Sequence, residues 1–516
     1  MNSNKLFPSL LVGGVIGLTL WRCAKSVPAK PVANDNSFGA IDAYVEQQRR
    51  RLNVPGVSLA IVQGDKIAHV RGFGRARPHG EIPMTRRRAH SPTQNSLRDD
   101  VSPQTPFYVG SLTKSFTALA VMQLVEAGKI ELDASVQHYL PWFRVADYGS
   151  TARITVRHLL NQTSGIPASS GETVLADSDN RPNATERQMR ALAKLTLTRP
   201  AGMAFEYSNA NYNLLGLIVE AVSGESYAEY VQQHSLNPLQ MCHTYTSKAL
   251  AKKNGLAMGH QYWFTVPIAA PNIPIPHGSL PAGLLISCAE DLAHYLIAFL
   301  NGGRFGDAQI LSPAGIKELQ RGAANVNWMG MSLGQYGMGW FITEIGGTKL
   351  AWHSGTLPDF GAYMALLPEQ KKGVVLLFNA CHHWMNPVLT EFGTGVATLL
   401  AGEQPAPRPF SIVIPWILRA QLLLPALQLV GIATTVRLGK RSRQEFPRTM
   451  RGVLPLIPNL LAALTLIPLL GKRRGYLKLY MPDLAWLAMI GGSFGLVFSL
   501  AQIALLFRQR RFLEKR

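Results

Sequence analysis

Ser111-Leu112-Thr113-Lys114 decides how this chain is read, because it sets a hydroxyl and an amine three residues apart where a helix begins. Residues i and i+3 share one helix face, so the Lys114 amine can reach the Ser111 hydroxyl and take its proton. Such a spacing arises by chance roughly once or twice in a chain of this length, so its surroundings must settle what it means.

Around it the sequence divides into strands at the ends of one region and helices in its middle. Two Pro-rich stretches, Val27 to Asn36 and Gln404 to Pro409, bound the region. Gly56 to Val62 and Lys66 to Phe73, joined by Gln63-Gly64-Asp65, read as a hairpin. Gly339 to Ile345, Gly361 to Leu367 and Gly373 to Phe378 read as three further strands, and Ser115 to Ala127, Val156 to Asn161 and Tyr212 to Val222 as helices. The expected fold class is α/β (α+β): an antiparallel sheet completed by both ends of the region and flanked by helices, with a mostly helical lobe inserted and a cleft where the two meet. Met84 to Ser102, polar and Arg-rich, reads as a loop beside that cleft. No internal repeat or sustained heptad pattern is present.

Three patterns each occur once: Ser-x-x-Lys at Ser111 to Lys114, Tyr-x-Asn at Tyr207 to Asn209, and His-x-Gly at His353 to Gly355. Taken singly they have plain explanations. Tyr207 fits a half-buried core tyrosine, Asn209 a helix N-cap, and His353 a strand end beside Trp352. Together, in this order, they resemble the serine β-lactamase and penicillin-binding superfamily, in the branch that uses tyrosine in the second motif: class C β-lactamases, D-alanyl-D-alanine carboxypeptidases and related esterases and D-aminopeptidases. The resemblance extends to Phe107-Tyr108-Val109-Gly110-Ser111, His158-Leu159-Leu160-Asn161-Gln162-Thr163-Ser164-Gly165 and Phe205-Glu206-Tyr207-Ser208-Asn209. It covers about Asp42 to Leu400.

The resemblance implies an acyl transfer through a covalent intermediate. Ser111 attacks a carbonyl carbon and Lys114 takes its proton. Tyr207, with its phenol pKa lowered by the Lys114 ammonium, acts as a second proton carrier to the leaving group. Asn209 binds a substrate amide. The backbone N–H groups of Ser111 and of Thr356, on an edge strand just after His353 and Gly355, form the oxyanion hole. His353 stands where the commonest third motif has lysine. A largely uncharged imidazole there predicts a substrate without a mandatory carboxylate at that spot.

Three apolar blocks follow: Ile412 to Val436, Val453 to Gly471 and Leu484 to Phe507, each near the length of a bilayer span. Basic residues from Arg437 to Arg451 and from Arg508 to Arg516 place those connections in the cytoplasm, although Lys472, Arg473, Arg474 and Lys478 make the second connection basic too. The organisation expected is a signal peptide or signal anchor and linker over 1–36, an exported hydrolase domain over 37–401, a Pro-rich linker over 402–411 and a three-helix transmembrane domain over 412–516. The catalytic domain then lies on the periplasmic or extracellular side of the cytoplasmic membrane. Gly491 and Gly495 read as a close helix-packing face, and Arg419 either faces other helices or marks where the first span begins.

The formal net charge is +20, but many of the basic residues flank the spans, so lipid bilayer rather than nucleic acid is the expected partner. Four cysteines make no disulfide framework. No cofactor is expected, and no metal. His382-His383 lacks a carboxylate or cysteine at ligand spacing and reads as a surface pair, and His277 is a candidate for the cleft wall.

The entire layout is similar to the membrane-bound peptidases that mature colibactin-like natural products, which implies removal of an N-acyl-D-asparagine prodrug group from a small-molecule or peptide substrate in the periplasm. An acidic residue shortly before the nucleophile would support D-asparagine recognition; Tyr108 is not acidic. The alternatives are a cell-envelope D-peptidase or esterase, and a β-lactam sensor that is acylated without turnover. Loops such as Met84 to Ser102 and Gly171 to Asn183 would shape the pocket.

Overall fold

A computed structural model describes residues 38–77, 100–175, 183–271, 277–328, 331–406, 409–440 and 474–514, with a few single positions between these stretches. The N-terminal segment 1–36, most of the loop expected from Met84 to Ser102, and the middle apolar block lie outside the described residues, Leu464 apart.

Eight strands form one antiparallel sheet: β1 (Gly56–Gln63), β2 (Lys66–Gly74), β3 (Ala324–Trp328), β4 (Met331–Tyr336), β5 (Phe341–Ile345), β6 (Thr348–Thr356), β7 (Gly361–Leu367) and β8 (Lys372–Phe378), in the order β2-β1-β8-β7-β6-β5-β4-β3. The two ends of the region meet in its interior, where β1 and β8 pair from Val57 with Phe378 to Gln63 with Lys372. The five strand segments read from the sequence are all present. β3, β4 and β6 were not among them.

Strand periodicity puts alternate residues on opposite faces, and both faces are covered. Val57, Leu59 and Ile61 join Val374, Leu376 and Phe378 in one core, under α1 (Phe38–Arg51) and α6 (Asn386–Ala401). Ala60 and Val62 join Val375 and Leu377 in the other, against α5 (Ala289–Leu300) and the helical lobe. Burial on both sides explains why these strands read as continuous apolar runs rather than as an alternation.

Within the lobe, α2 (Thr113–Glu126), α3 (Ala168–Leu175) and α4 (Asn209–Ser223) surround the cleft. α2 is buried around nearly its whole circumference, as expected of a central helix rather than a surface one. Residues Gly171 to Leu175, expected in a loop, continue α3.

Beyond the domain come α7 (Phe410–Ala420), α8 (Leu423–Lys440), α9 (Arg474–Tyr480) and α10 (Pro482–Glu514). Phe410–Val430 and Pro482–Leu500 are long and apolar enough to cross a membrane, by length and composition. Two of the three expected spans thus have counterparts among the described residues. The first is not one helix: it breaks at Gln421 and Leu422, just after Arg419, whose Nε donates to Thr265 Oγ1 at 2.8 Å. Arg419 therefore faces the catalytic domain. Gly491 lies against Gln428, whose amide donates to the Gly491 carbonyl at 2.7 Å, so close packing at Gly491 occurs within this chain.

The expected surface pair is corrected at His382. Its ring is buried, with Nε2 3.0 Å from the equally buried Asp483 carboxylate at the start of α10. Asp483 is far away in sequence, so adjacency alone could not reveal the pairing.

Candidate active site

Ser111 sits in a 3₁₀ turn, Gly110–Leu112, that runs directly into α2. The turn is tight because Gly110 has φ of +55°, and a Cβ on it would stand 2.6 Å from Thr356 N. Thr113 Oγ1 donates to the Gly110 carbonyl at 2.7 Å and closes the turn. These contacts fix the serine where the helix face begins.

Lys114 is fully buried, and its Nζ lies 3.0 Å from Ser111 Oγ, 2.7 Å from Asn209 Oδ1 and 2.6 Å from the Ala282 carbonyl. Burial holds its pKa well below the usual lysine range. A neutral amine has two N–H bonds and one lone pair. Asn209 Oδ1 and Ala282 O are acceptors only, so in the neutral form of the amine they would take both N–H bonds and leave the lone pair facing Ser111 Oγ.

Asn209 is the first residue of α4, and Ser208 occupies the N-cap without a side-chain cap bond. The plain N-cap explanation of Asn209 therefore gives way to its bond with Lys114. With Oδ1 engaged, its Nδ2 donors remain for a substrate carbonyl.

Tyr207 precedes α4 on a segment held by Gln162: Glu206 N donates to the Gln162 carbonyl at 2.8 Å and Ser208 N to Gln162 Oε1 at 3.0 Å. Gln162 adopts φ of +59°, a conformation uncommon outside glycine, so local strain is stored directly under the site. Lys114 Nζ stands 4.8 Å from the Tyr207 ring centroid. Burial raises the phenol pKa, and a hydrogen bond with Ser111 opposes this only in part. This reverses the expected lowering: desolvation of the phenolate outweighs the stabilisation its surroundings supply. Tyr207 is a phenol hydrogen-bonded to the nucleophile.

His353 lies on β6, fully buried, with its pKa lowered to about 3, mainly by desolvation and then by Lys114. Nδ1 is 2.6 Å from the Ser354 carbonyl, which requires an N–H there, and Nε2 is 3.3 Å from the Tyr336 hydroxyl. The imidazole is thus neutral. β6 is interior to the sheet, but β5 pairs with it only as far as Trp352, so His353 to Thr356 have β7 alone as a sheet neighbour. Their open side faces the nucleophile turn. Gly355 permits the approach, since a Cβ there would stand 2.0 Å from the Val109 carbonyl. Thr356 N lies against Gly110.

The structure brings Ser111, Lys114, Tyr207, Asn209 and His353 into one cluster, with Gly355 and Thr356 closing one side. Sequence reasoning missed the Ala282 carbonyl, which as a backbone group has no residue signature. Tyr336 was missed with β4. The first residue of the Pro-rich segment's helical turn, His277, has a side chain outside the described residues.

Elsewhere, His243, Cys288 and Asp291 place possible metal-ligand atoms within 4.8 Å of one another. Structural bonds occupy two of them: Asp291 accepts from His243 N and Thr244 Oγ1 of the neighbouring loop, each at 2.7 Å, and Cys288 Sγ caps its helix by accepting from Asp291 N at 3.4 Å.

Known proteins agree with this geometry. The profile of the Beta-lactamase family matches residues 41–388. Protein flp of Staphylococcus aureus (strain MW2) is 29% identical over 366 residues, covering 70% of this chain and 67% of that protein. Unguisins hydrolase ungD' of Aspergillus campestris (strain IBT 28561) is 26% identical over 361 residues, 67% of this chain and 62% of that protein. Among solved structures, the octameric penicillin-binding protein homologue from Pyrococcus abyssi superposes with a TM-score of 0.60 and 29% identity, covering 72% of this chain and 78% of the other. A class C β-lactamase superposes with 0.56 and 20% identity, covering 74% and 100%, which shows the shared fold. The protein is of the serine hydrolase class that this fold defines. Within that class, the chain belongs to the β-lactamase family.

Proposed function

We propose that this chain is a membrane-anchored serine hydrolase that works through a covalent acyl-enzyme on the outer side of the cytoplasmic membrane. Its reaction is that of a peptidase or amidase removing an N-acyl-D-amino acid group, of the D-asparagine prodrug type, from a natural-product precursor. The observation that carries the chemistry is the buried Lys114 amine, 3.0 Å from Ser111 Oγ and held by bonds to Asn209 Oδ1 and the Ala282 carbonyl.

In the forward step, Ser111 Oγ bonds to the scissile carbonyl carbon as its proton passes to Lys114 Nζ. Ser111 N–H and Thr356 N–H receive the developing oxyanion, a contribution of about 3–4 kcal/mol for each such donor. When the carbon–nitrogen bond breaks, the Tyr207 hydroxyl gives its proton to the leaving amine and regains one from Lys114. Water then attacks the ester carbonyl with the same two groups carrying its proton in reverse.

Substrate class rests on three supports. Neutral His353 offers no fixed positive charge for a carboxylate. Apolar helices long enough to cross a membrane follow the hydrolase domain. The Asn209 Nδ2 donors suit an N-acyl carbonyl beside the scissile bond. The test is incubation of the purified full chain with paired N-acyl D- and L-asparagine amides, simple esters and a penicillin. Selective turnover of the D-amide is expected. Equal cleavage of both enantiomers would refute the D-amino-acid reading, and stable acylation by the penicillin with no turnover of any substrate would favour a sensor.

A further inference from the structure

Helix α9 stands between the apolar helix α10 and the catalytic cleft. Tyr476 and Tyr480 stack on its surface with ring centroids 4.3 Å apart, and they bury Leu175 at the end of α3. α3 in turn rests on the segment that carries the site. A Cβ on Gly171 would stand 2.6 Å from Asn209 N, and Ala168 N donates to Glu206 Oε1 at 2.9 Å. A continuous path of packed groups therefore runs from the two tyrosines through Leu175 and Gly171 to Asn209.

α9 is itself clamped to the catalytic domain. The Tyr476 hydroxyl lies 2.9 Å from His383 Nδ1, and Gln261 Nε2 donates to the Leu479 carbonyl at 2.7 Å. Just beyond, Asp483 accepts from Phe264 N at 2.8 Å and meets His382 at 3.0 Å. A tether that only held the domain near a membrane would need none of these bonds, which fix the helix in one orientation against the lobe.

We infer that α9 is a positioning element of the active site: Tyr476 and Tyr480 hold α3 against Asn209, so the anchoring part of the chain sets how tightly a substrate amide is bound. This rests on the proposed role of Asn209 toward the substrate amide. Ser111 and Lys114 are carried by the 3₁₀ turn and α2, and Lys114 keeps its bond to the Ala282 carbonyl when Asn209 shifts, so α9 controls amide binding more than nucleophile reactivity.

The experiment uses the full chain in lipid nanodiscs, with Leu175→Ala, with Tyr480→Leu, which keeps apolar volume but removes the ring, and with both. Steady-state kinetics are measured on an N-acyl amino acid amide and on a simple ester without that amide, and Ser111 labelling is timed with a small fluorophosphonate. Each single variant should raise KM for the amide about fivefold, with the double variant no worse than about tenfold because both break one contact, and with labelling and ester KM changed less than about twofold. Unchanged amide KM, or a parallel loss of labelling and of both substrates, would overturn the inference. A wild type that hydrolyses no N-acyl amide refutes the substrate reading alone. The coupling is then read from the rate of Ser111 acylation by a penicillin, whose side chain carries an equivalent amide.

Discussion

Lys114 Nζ stands 2.7 Å from Asn209 Oδ1, so the group proposed to take the Ser111 proton and the group proposed to face a substrate amide are held as one pair. Replacing that neutral oxygen with a carboxylate changes the charge balance without changing the shape. Asn209→Asp should raise the Lys114 pKa by about 1–3 units and so favour the protonated amine. The rising limb of the pH–rate profile should move to higher pH, and activity at pH 7 should fall by roughly 10- to 1000-fold. An unmoved limb would show that Lys114 is not the base.

His353 gives a different pH signature. Its pKa is depressed to about 3 in the folded protein, so the folded state binds fewer protons than the unfolded chain between about pH 3 and 6.5. Stability associated with this residue is complete above pH 6.5 and is lost as pH falls toward 3, on the order of 5 kcal/mol at the limit. His353→Gln should unfold at a lower pH than the wild type in an acid titration followed by circular dichroism. The activity profile should show no inflection near 6.5 in either protein.

Asp359 acts in the opposite direction. It is buried in the turn after β6, and desolvation pushes its pKa up to about 7. The folded state therefore holds a proton that the unfolded chain has released, and the associated stability is lost as pH rises from about 4 through 7. Asp359→Asn should be more stable than the wild type at pH 8, by about 4 kcal/mol at most, and close to it at pH 4. Urea titrations at the two pH values measure the difference.

Gly355 is a steric requirement. A methyl group there meets the Val109 carbonyl 2.0 Å away, so Gly355→Ala must push β6 from the nucleophile turn and carry Thr356 N with it. A misplacement of about 1 Å costs on the order of 100-fold in rate. The expected result is at least that loss in kcat, with Ser111 still present but slow to acylate.

His382 and Asp483 form a buried pair that joins the catalytic domain to α10. Removing His382 should cost about 1–3 kcal/mol, because the buried Asp483 carboxylate loses a hydrogen-bond partner while keeping Phe264 N. His382→Ala should lower the melting temperature of the full chain and make the junction near Met481 newly sensitive to protease. An unchanged digestion pattern would show that the pair does not hold the junction.

The catalytic cluster and the closure of the sheet were legible because each left a local mark. Ser111 and Lys114 are neighbours on one turn, and the apolar runs of β1, β7 and β8 are set by burial on both faces. β6 escaped as a strand because Lys349, Trp352, His353 and Ser354 mix polar with apolar residues where one strand partner ends. The direction of the Tyr207 shift was illegible because it depends on how fully Tyr207 itself is buried, and that comes from elements distant in sequence. His382 was misread for the same reason: its partner lies 101 residues away.

The most direct test of the central claim is mass spectrometry of the full chain quenched during turnover of an N-acyl amide. The prediction is a transient acyl adduct on the peptide carrying Ser111, absent in Ser111→Ala and long-lived in Tyr207→Phe, where the second proton carrier is missing. Turnover by Ser111→Ala, or an adduct on any other residue, would contradict the account.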